Sequence, residues 1–443
     1  MVEKRRSQKK KSTAAPVQNP DDVVDDMVAA YRGLCARGGE PLMESLDDSY
    51  NIYGYELKGM LPLQYVLGIN VLAFGRTILL AGPPQGGKSQ MAYYLANLFA
   101  GGGGLVNVYE TEGKVSKEQI YGLWNSKELV ERRLNFKYCR TQQKAQKAMT
   151  KNTGAYEDMC ISRKSWPPLC SILDSMSGNA SDDQAKAIEE DGAAGMSTAG
   201  LHKAKSWKEW FQVYIPNHVA MMPYTMFVVN HEGTEVNLGG GGPASFGGPK
   251  KTTGAGGVHK DFMSTWTLSL TSDASVTEKV GVGTDYGRHS ITKYRIKNIK
   301  NSLGIKSRKA EYTVIAYRDA EGQRVLQLDW DSALVDLLSD DANLKLEAGS
   351  INNYLDLKGS GQKWTCPMVG VPHKGDPVSK QAMGALLHST PEVYAMIQKE
   401  LLDVSVHPDW SGQEAKDIAM REIKAKMKDR GISTKAPQKR RSS

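Results

Sequence analysis

The sequence has no apolar run that approaches the roughly 20 residues needed to cross a bilayer. Its basic start, from Lys4 to Lys11, is not followed by the apolar core of a secretory signal. We therefore expect no membrane partner and a cytoplasmic location. Basic residues near both ends keep a nuclear compartment as an alternative.

Cysteine is scarce, and its positions exclude two common uses of this residue. The chain has no Cys-x2-Cys pair and no histidine at zinc-ligand spacing from a cysteine. A disulfide framework and a zinc finger are therefore excluded, and we expect reduced, buried thiols. The five positions are Cys35, Cys139, Cys160, Cys170 and Cys366.

The chain of 443 residues carries a net charge of +8, much of it in its ends, Lys4 to Lys11 and Lys424 to Arg441. Such ends favour a nucleic-acid partner, although a solvated tail without a partner explains the charge equally well. The 40% apolar fraction and the length predict one large domain with smaller additions. We expect a disordered basic tail at 1–20, a helical segment at 21–54, a core domain at 55–335, a small helical domain at 336–428 and a basic tail at 429–443.

A glycine-rich stretch between a predicted strand and a predicted helix is the strongest motif. Arg76–Ala81 is an apolar run of strand length, and Gln90–Phe99 has helical apolar spacing. The stretch between them fits the phosphate-binding pattern Gly-x4-Gly-Lys-Ser, in which backbone N–H groups and a helix start face a phosphate. Its residues, with the first helical residue, are Gly82, Pro83, Pro84, Gln85, Gly86, Gly87, Lys88, Ser89 and Gln90. This pattern predicts ATP as cofactor, with Lys88 on the β- and γ-phosphates and Ser89 on Mg²⁺.

Three further strands of buried type each end in polar residues. Leu105–Tyr109 is followed by Glu110 and Glu112, which compete for the role of orienting a water on the γ-phosphate. Pro168 begins a strand that ends in Asp174, a candidate for binding Mg²⁺ through water, and Met226–Asn230 is followed by His231. Because strands alternate with helices, we expect an α/β fold with a mainly parallel central sheet flanked by helices. A solvated turn remains the alternative for each acid.

Basic residues mark two later elements. A helix predicted from about Thr198 to Val213 carries Lys203, Lys205 and Lys208 beside Trp207, Trp210 and Phe211, and we predict that these three lysines bind DNA. The strand Thr292–Asn301 alternates basic and apolar residues, with Lys293, Arg295 and Lys297 on one face, until the step Asn298-Ile299-Lys300 breaks the period of two. A solvated strand face is the alternative there. Between them, a glycine-rich run at 232–257 is predicted to be a binding loop rather than a linker.

Taken together, these pieces resemble the RecA recombinase family, and within it the UvsX-type recombinases of bacteriophages. The resemblance covers about residues 55–330 and extends more weakly to 402. It rests on the phosphate-binding pattern, Tyr109-Glu-Thr-Glu-Gly113, Leu173-Asp-Ser175, Ala204-Lys-Ser-Trp-Lys-Glu-Trp-Phe211, Val229-Asn-His231 and Thr252-Thr-Gly-Ala-Gly-Gly257.

The resemblance implies roles for particular residues. Glu112 would be the catalytic carboxylate, with Glu110 a bystander, and His231 would sense the γ-phosphate. Segments 178–195 and 232–257 would be the two DNA-binding loops, the second ending at Gly256 and Gly257. Lys300 would reach the nucleotide of a neighbouring subunit. The second basic residue that the family pattern expects two positions later is Ser302 here.

The same resemblance implies a function. The chain would be a RecA-like P-loop ATPase that uses ATP and Mg²⁺, forms a homo-oligomeric filament on single-stranded DNA, pairs it with double-stranded DNA, and serves recombination, repair and recombination-dependent replication. Segment 21–54 would help polymerisation, single-strand-binding and loader proteins would be partners, and the host cytoplasm would be the location if a phage encodes it. A hexameric replicative helicase is the main alternative, although no arginine finger or primase-binding domain is evident. A non-catalytic recombination mediator is a third, and the presence of both Glu112 and Asp174 argues against it.

Overall fold

A computed structural model describes residues 52–178, 180–191, 199–220, 222–231, 233–234, 251–252, 263–273, 275–280, 287–304, 307–339 and 355–402. Several predictions fall on residues outside these ranges: the first helix at 21–32, both basic tails, and most of the glycine-rich run, including Gly256 and Gly257. Within the described ranges, Cys139, Cys160, Cys170 and Cys366 are free and buried, which confirms the prediction for these four thiols.

The described strands, in chain order, are β1 (Gly54–Glu56), β2 (Val71–Ala73), β3 (Arg76–Gly82), β4 (Leu105–Glu110), β5 (Leu134–Tyr138), β6 (Leu169–Asp174), β7 (Tyr224–His231), β8 (Gly233–Thr234), β9 (Lys251–Thr252), β10 (Trp266–Ser272), β11 (Val276–Val280), β12 (Gly287–Asn301), β13 (Lys309–Arg318), β14 (Arg324–Asp329), β15 (Lys358–Ser360) and β16 (Lys363–Thr365). The described α-helices are α1 (Leu61–Leu67), α2 (Lys88–Gly101), α3 (Lys117–Trp124), α4 (Lys127–Arg133), α5 (Gln142–Arg163), α6 (Asp182–Asp191), α7 (Ala199–Tyr214), α8 (Trp330–Ser339), α9 (Lys380–Ser389) and α10 (Pro391–Leu401). A π-helix, Ile215–Val219, continues α7.

Ten of these strands form the main sheet, in the order β14-β13-β12-β10-β3-β7-β6-β4-β5, with β11 paired to β12. The six strands from β10 to β5 are parallel. The pairs that involve β11, β12, β13 and β14 are antiparallel. The protein is therefore an α/β protein with a large, mostly parallel central sheet flanked by helices, as the alternation of strands and helices predicts.

The central parallel strands are buried because their sequences are continuous apolar runs. Ile78, Ile172 and Phe227 are fully buried in neighbouring strands, with helices packed over the sheet. The structure confirms the predicted strands and extends two of them to polar residues, so that β4 ends at Glu110 and β7 at His231. In parallel strands these carboxyl ends lie at one edge of the sheet.

The predicted break in the alternation of β12 is a β-bulge. Opposite Thr267 and Leu268 the pairing passes from Lys300 to Asn298 and skips Ile299. Asn298 is buried, whereas Lys297 and Ile299 are exposed.

The C-terminal helices pack on the end of the core. α9 and α8 approach each other closely at Gly384. A Cβ added at this glycine would lie 2.0 Å from the carbonyl oxygen of Asp331. In α10, Gln398 donates to the side chain of Gln64 at 2.9 Å. The segment 336–428, predicted to be helical, contains these helices and also the short strands β15 and β16, while the domain boundary near 335 stays a prediction. Among the residues described, no helix has the length and apolar character to span a membrane.

Candidate functional site

The glycine-rich stretch forms a tight turn from β3 into α2. Three of its residues have left-handed backbone angles: Gly82 at φ 144°, Gln85 at φ 64° and Gly87 at φ 83°. Lys88 begins the helix, and only 3% of its surface is exposed. Its ammonium donates to the carbonyl oxygens of Gly82 at 3.1 Å and Pro83 at 2.6 Å. The turn thus holds a buried cation at a helix start.

Neighbouring strands require the glycines of this turn. A Cβ at Gly82 or Gly86 would lie 2.1 or 2.6 Å from the carbonyl oxygen of Leu270 in β10. A Cβ at Gly87 would lie 2.6 Å from the ring of Tyr294 in β12. The turn therefore owes its shape to the strands beside it as well as to its own sequence.

A cavity of about 300 Å³ opens in front of this turn. Residues 85–90 and His231 line it, so six of the nine residues predicted from the motif face one space. The remaining wall consists of Gln119, Tyr294, Arg324 and Leu326, which we call the tyrosine–arginine wall. Burial raises the pKa of Tyr294, and the nearby Arg324 guanidinium opposes part of that rise. Sequence reasoning missed this wall, because its members come from α3, β12 and β14 and share no motif.

The other side of the turn is lined by the ends of β4, β6 and β7, whose Glu110, Glu112, Asp174 and His231 we call the acidic flank. Glu110 is buried, and its carboxylate accepts the backbone N–H groups of Glu112 at 2.9 Å, Gly113 at 2.7 Å and Lys114 at 3.1 Å. Through these three bonds, the Glu110 carboxylate holds the turn after β4 in place. Glu112, at the centre of that turn, does not line the cavity itself and is connected to it through His231.

Glu112 has three side-chain partners, whereas Glu110 is held by three backbone groups. Its Oε1 accepts the Ser175 hydroxyl and lies 2.9 Å from Nε2 of His231, and its Oε2 lies 2.7 Å from the Lys114 ammonium. Burial raises the pKa of Glu112, but hydrogen bonds from these three partners outweigh burial and lower the pKa to about 2. Glu112 is therefore ionised at neutral pH. Nδ1 of His231 is buried and has no hydrogen-bond partner among the described residues.

Asp174 ends β6 beside the start of α2. Tyr93 donates to its Oδ2 at 3.0 Å, and Ser89 is a second hydrogen-bond partner. Burial raises the pKa of Asp174 to about 6, although both hydrogen bonds lower it, and Glu112 and Glu110 raise it further. A buried carboxylate beside a hydroxyl, with its negative charge disfavoured, suits a hard cation such as Mg²⁺. The described residues hold no group of three or more His, Cys, Asp or Glu side chains that could bind a metal, so the other ligands of such an ion would be phosphate oxygens or water.

The predicted DNA-binding lysines lie on α7, and neither Lys205 nor Lys208 lines the cavity. Lys205 is exposed and lies 3.8 Å from Glu209, and Lys208 is half-buried. Lys203 belongs to the same helix. The aromatic residues of this helix are core residues, since Trp207 and Phe211 are buried, and Trp210 stacks on Tyr214 with ring centres 4.1 Å apart.

The basic residues of β12 are also separate from the cavity lining. Lys293 and Arg295 pair with Glu311 of β13, the guanidinium at 2.8 Å. Lys300 donates to the carbonyl oxygen of Ser264 at 2.5 Å, near the start of β10. The carboxyl end of β10 lies beside the glycine-rich turn, so Lys300 lies towards the opposite edge of the sheet from that turn.

A scan of protein-family models finds no match to this chain, and a comparison with curated proteins finds no significant match either. The class of protein is therefore defined by the fold and by the site. It is an α/β protein that gathers a buried lysine, two acidic strand ends and a histidine at the carboxyl edge of its parallel strands.

Proposed function

We propose that the protein is a DNA-dependent ATPase and recombinase of the RecA type that assembles on single-stranded DNA. One observation carries the proposal: the turn with Lys88 lies between Asp174 and the Glu112–His231 pair on one side and the tyrosine–arginine wall on the other. A triphosphate needs N–H donors, a cation, a metal ligand and a group that orients water. The N–H donors, Lys88, Ser89 and His231 line the cavity, Asp174 is a hydrogen-bond partner of Ser89, and Glu112 contacts His231.

The polarity of the site follows from the sheet order. β7, β6 and β4 lie on one side of β3, and β10, β12 and β14 lie on the other. The γ-phosphate would face the acidic flank, where Glu112 and His231 meet, and the nucleoside would face the tyrosine–arginine wall. Ser89 and Asp174 would hold Mg²⁺, which when bound neutralises charge on the phosphate oxygens.

Hydrolysis would use Glu112 as the residue that orients water. The ionised carboxylate accepts a hydrogen bond from a water molecule and takes its proton as the water oxygen bonds to the γ-phosphorus. The bond from that phosphorus to the bridging oxygen breaks, and ADP leaves with the electron pair. Nε2 of His231, 2.9 Å from Glu112, would shift its contact when a γ-phosphate is present.

DNA dependence would arise because both candidate DNA-binding segments start beside Glu112. The first follows β6 at residue 178, and the second follows His231 at residue 232. A polymer that repositions either segment would act on the water-orienting carboxylate. The position of Lys300, away from its own cavity, fits a contact with the nucleotide of an adjacent subunit in a filament.

The test combines an activity and an image. ATP hydrolysis should rise when single-stranded DNA is added, and negative-stain images with a slowly hydrolysed ATP analogue should show open helical filaments. Closed rings would favour the helicase instead. An absence of hydrolysis with and without DNA would contradict the ATPase itself.

A further inference from the structure

The turn that follows β6 contacts Glu112 through Ser175. This serine is fully buried, and its hydroxyl donates to Oε1 of Glu112. The same hydroxyl oxygen accepts the N–H of Gly178 at 3.1 Å and lies 3.1 Å from the hydroxyl of Ser177. One hydroxyl therefore joins the carboxylate to the first residue of the 178–195 segment.

Thr111 fixes the position of Ser175. Its hydroxyl accepts the N–H of Ser175 at 2.9 Å and donates to the Ser175 carbonyl oxygen at 2.8 Å. The N–H of Thr111 donates to the carbonyl oxygen of Asp174 at 2.8 Å. Three hydrogen bonds thus join the residue after β4 to Asp174 and Ser175, which leaves Ser175 little freedom to move.

Gly178 meets Glu112 directly. A Cβ at this position would lie 2.3 Å from Cγ of Glu112 and 2.9 Å from its Oε1. No space separates the start of the segment from the carboxylate, so a displacement of Gly178 must move Glu112 or open a gap beside it. Ser177 extends the connection to β7, because its hydroxyl accepts the N–H of His231 at 3.3 Å.

The acidic charge of the 178–195 segment indicates that the segment affects the site through its contact with Glu112, and not through phosphate contacts of its side chains. Its sequence from 182 to 191 contains Asp182, Asp183, Glu189, Glu190 and Asp191 with one cation, Lys186. These residues form α6. An acidic helix repels the phosphates of DNA, so side-chain charge there does not provide a phosphate contact. What the segment does share with the site is the contact at Gly178.

We propose that Ser175 is a positioning residue for Glu112, and that Gly178 couples the turn after β6 to that carboxylate, so that a displacement of Gly178 sets the rate of hydrolysis. The inference rests on the proposed ATPase and adds a second route to the one through His231. Ser175 itself touches neither substrate nor metal in this scheme. It acts by holding the carboxylate where a water can be oriented.

The first variant is Ser175→Ala. Because a hydrogen bond to a charged group is removed, kcat should fall roughly 10- to 100-fold. Affinity for a fluorescent ATP analogue should stay within about twofold, since Ser175 does not line the cavity. Ser171→Ala is the matched control: it removes a buried hydroxyl from β6, four residues before Ser175, and should leave kcat unchanged.

The second measurement separates positioning from a general structural role. In a Glu112→Gln background, Ser175→Ala should cause no further loss of kcat, because the group that it positions is already gone. Gly178→Ala should lower kcat and the ratio of DNA-stimulated to basal rate, since the added Cβ displaces Glu112. Gly154→Ala in α5 is its control, as a Cβ there meets nothing within 4 Å.

Each outcome decides something. Wild-type kcat in both Ser175→Ala and Gly178→Ala would overturn the inference while leaving the ATPase intact. An equal loss from Ser175→Ala with Glu112 and with Gln at position 112 would show a structural role and also overturn it. If the wild-type chain hydrolyses no ATP, the proposed function fails and the inference fails with it. Thermal unfolding checks that each variant folds. If Gly178→Ala does not fold, the comparison of Ser175→Ala with Glu112 and with Gln at position 112 still tests the inference.

Discussion

On one side of β3, the acidic flank removes Glu110 and Asp174 from water, whereas on the other side β12 and β13 leave their charges at the surface. Glu110 and Asp174 are held by backbone and hydroxyl donors. Lys293 and Arg295 are exposed and pair with Glu311 across two strands. The electrostatic interaction energy of a charged side chain therefore differs between the two sides. It is large where water is excluded and small where water is present.

The comparison predicts that substitutions in the acidic flank and the adjoining turn have large and specific effects. Substitutions in the exposed pairs should have small effects that salt screens. The size of the effect should therefore decrease from Glu112 through Lys88 and Asp174 to Glu311.

Glu112→Gln should have the largest effect. It removes the water-orienting carboxylate but keeps the shape of the side chain, so kcat should fall about 10²- to 10⁴-fold while ATP binding persists. Glu110→Gln should instead lower stability by about 1–3 kcal/mol, because an amide cannot accept all three N–H groups, and should retain hydrolysis when folded. Steady-state ATPase assays and urea unfolding of both variants measure this. The opposite pattern would exchange the roles of the two glutamates.

Lys88→Ala should abolish measurable ATP binding, with a loss of about 100-fold or more in affinity, because it removes the buried cation of the turn. Titration with a fluorescent nucleotide measures the affinity. Lys151→Ala, an exposed lysine of α5, is the control and should bind normally. Equal affinities for the two variants would mean that the turn does not bind phosphate.

Asp174 should make stability depend on pH. Its folded-state pKa of about 6 lies above its ordinary value of 3.8, so the folded protein binds the proton more tightly than the unfolded chain. Ionisation of Asp174 therefore costs stability progressively as pH rises from about 4 to 6, and the full cost of about 2–3 kcal/mol persists above pH 6. Asp174→Asn has no such cost, so its stability relative to wild type should rise by that amount between pH 4 and pH 7.

Urea unfolding in EDTA at pH 4, 5.5 and 7 measures that difference. Mg²⁺ with nucleotide should reduce it, because bound cation favours the ionised carboxylate. Asp158→Asn, at an exposed position of α5, is the control. A constant difference between Asp174→Asn and wild type at all three pH values would contradict the effect of burial.

Glu311→Gln should have the smallest effect. It removes the carboxylate shared by Lys293 and Arg295, yet exposed ion pairs contribute roughly 0–1 kcal/mol. Thermal unfolding at low and high salt measures the cost, which should shrink as salt increases. A loss above about 2 kcal/mol that is insensitive to salt would erase the contrast between the two sides of β3.

Much of the fold and the centre of the site could be predicted from sequence. Continuous apolar runs identified β3, β6 and β7, and the rule that parallel strands end at one edge brought Glu112, Asp174 and His231 together. The step that breaks the alternation of β12 corresponds to a bulge. These features are local or follow from strand direction, and both leave a pattern in the sequence.

Other features depend on contacts between distant segments. Gln119 and Arg324 line the same cavity although 205 positions separate them, and no motif relates them. β5 lies at the edge of the sheet with mostly exposed residues, so it lacks the apolar run of a buried strand. Whether Glu110 or Glu112 faces the site could not be decided from strand-end position alone, since it depends on three backbone N–H groups that the turn directs at Glu110.

The bulge in β12 also changes which cations are spatial neighbours. Because the pairing skips Ile299, Lys300 lies opposite Thr267 and Lys297 lies opposite Ser269. Only one paired residue, the buried Asn298 opposite Leu268, separates them. Residues three apart in the chain thus occupy the places that residues two apart hold in a regular strand. By strand register, Lys297 and Lys300 are therefore a basic pair that spans the bulge. The regular alternation of strand residues does not predict this pair, because the bulge shifts by one residue which positions share a face of the sheet.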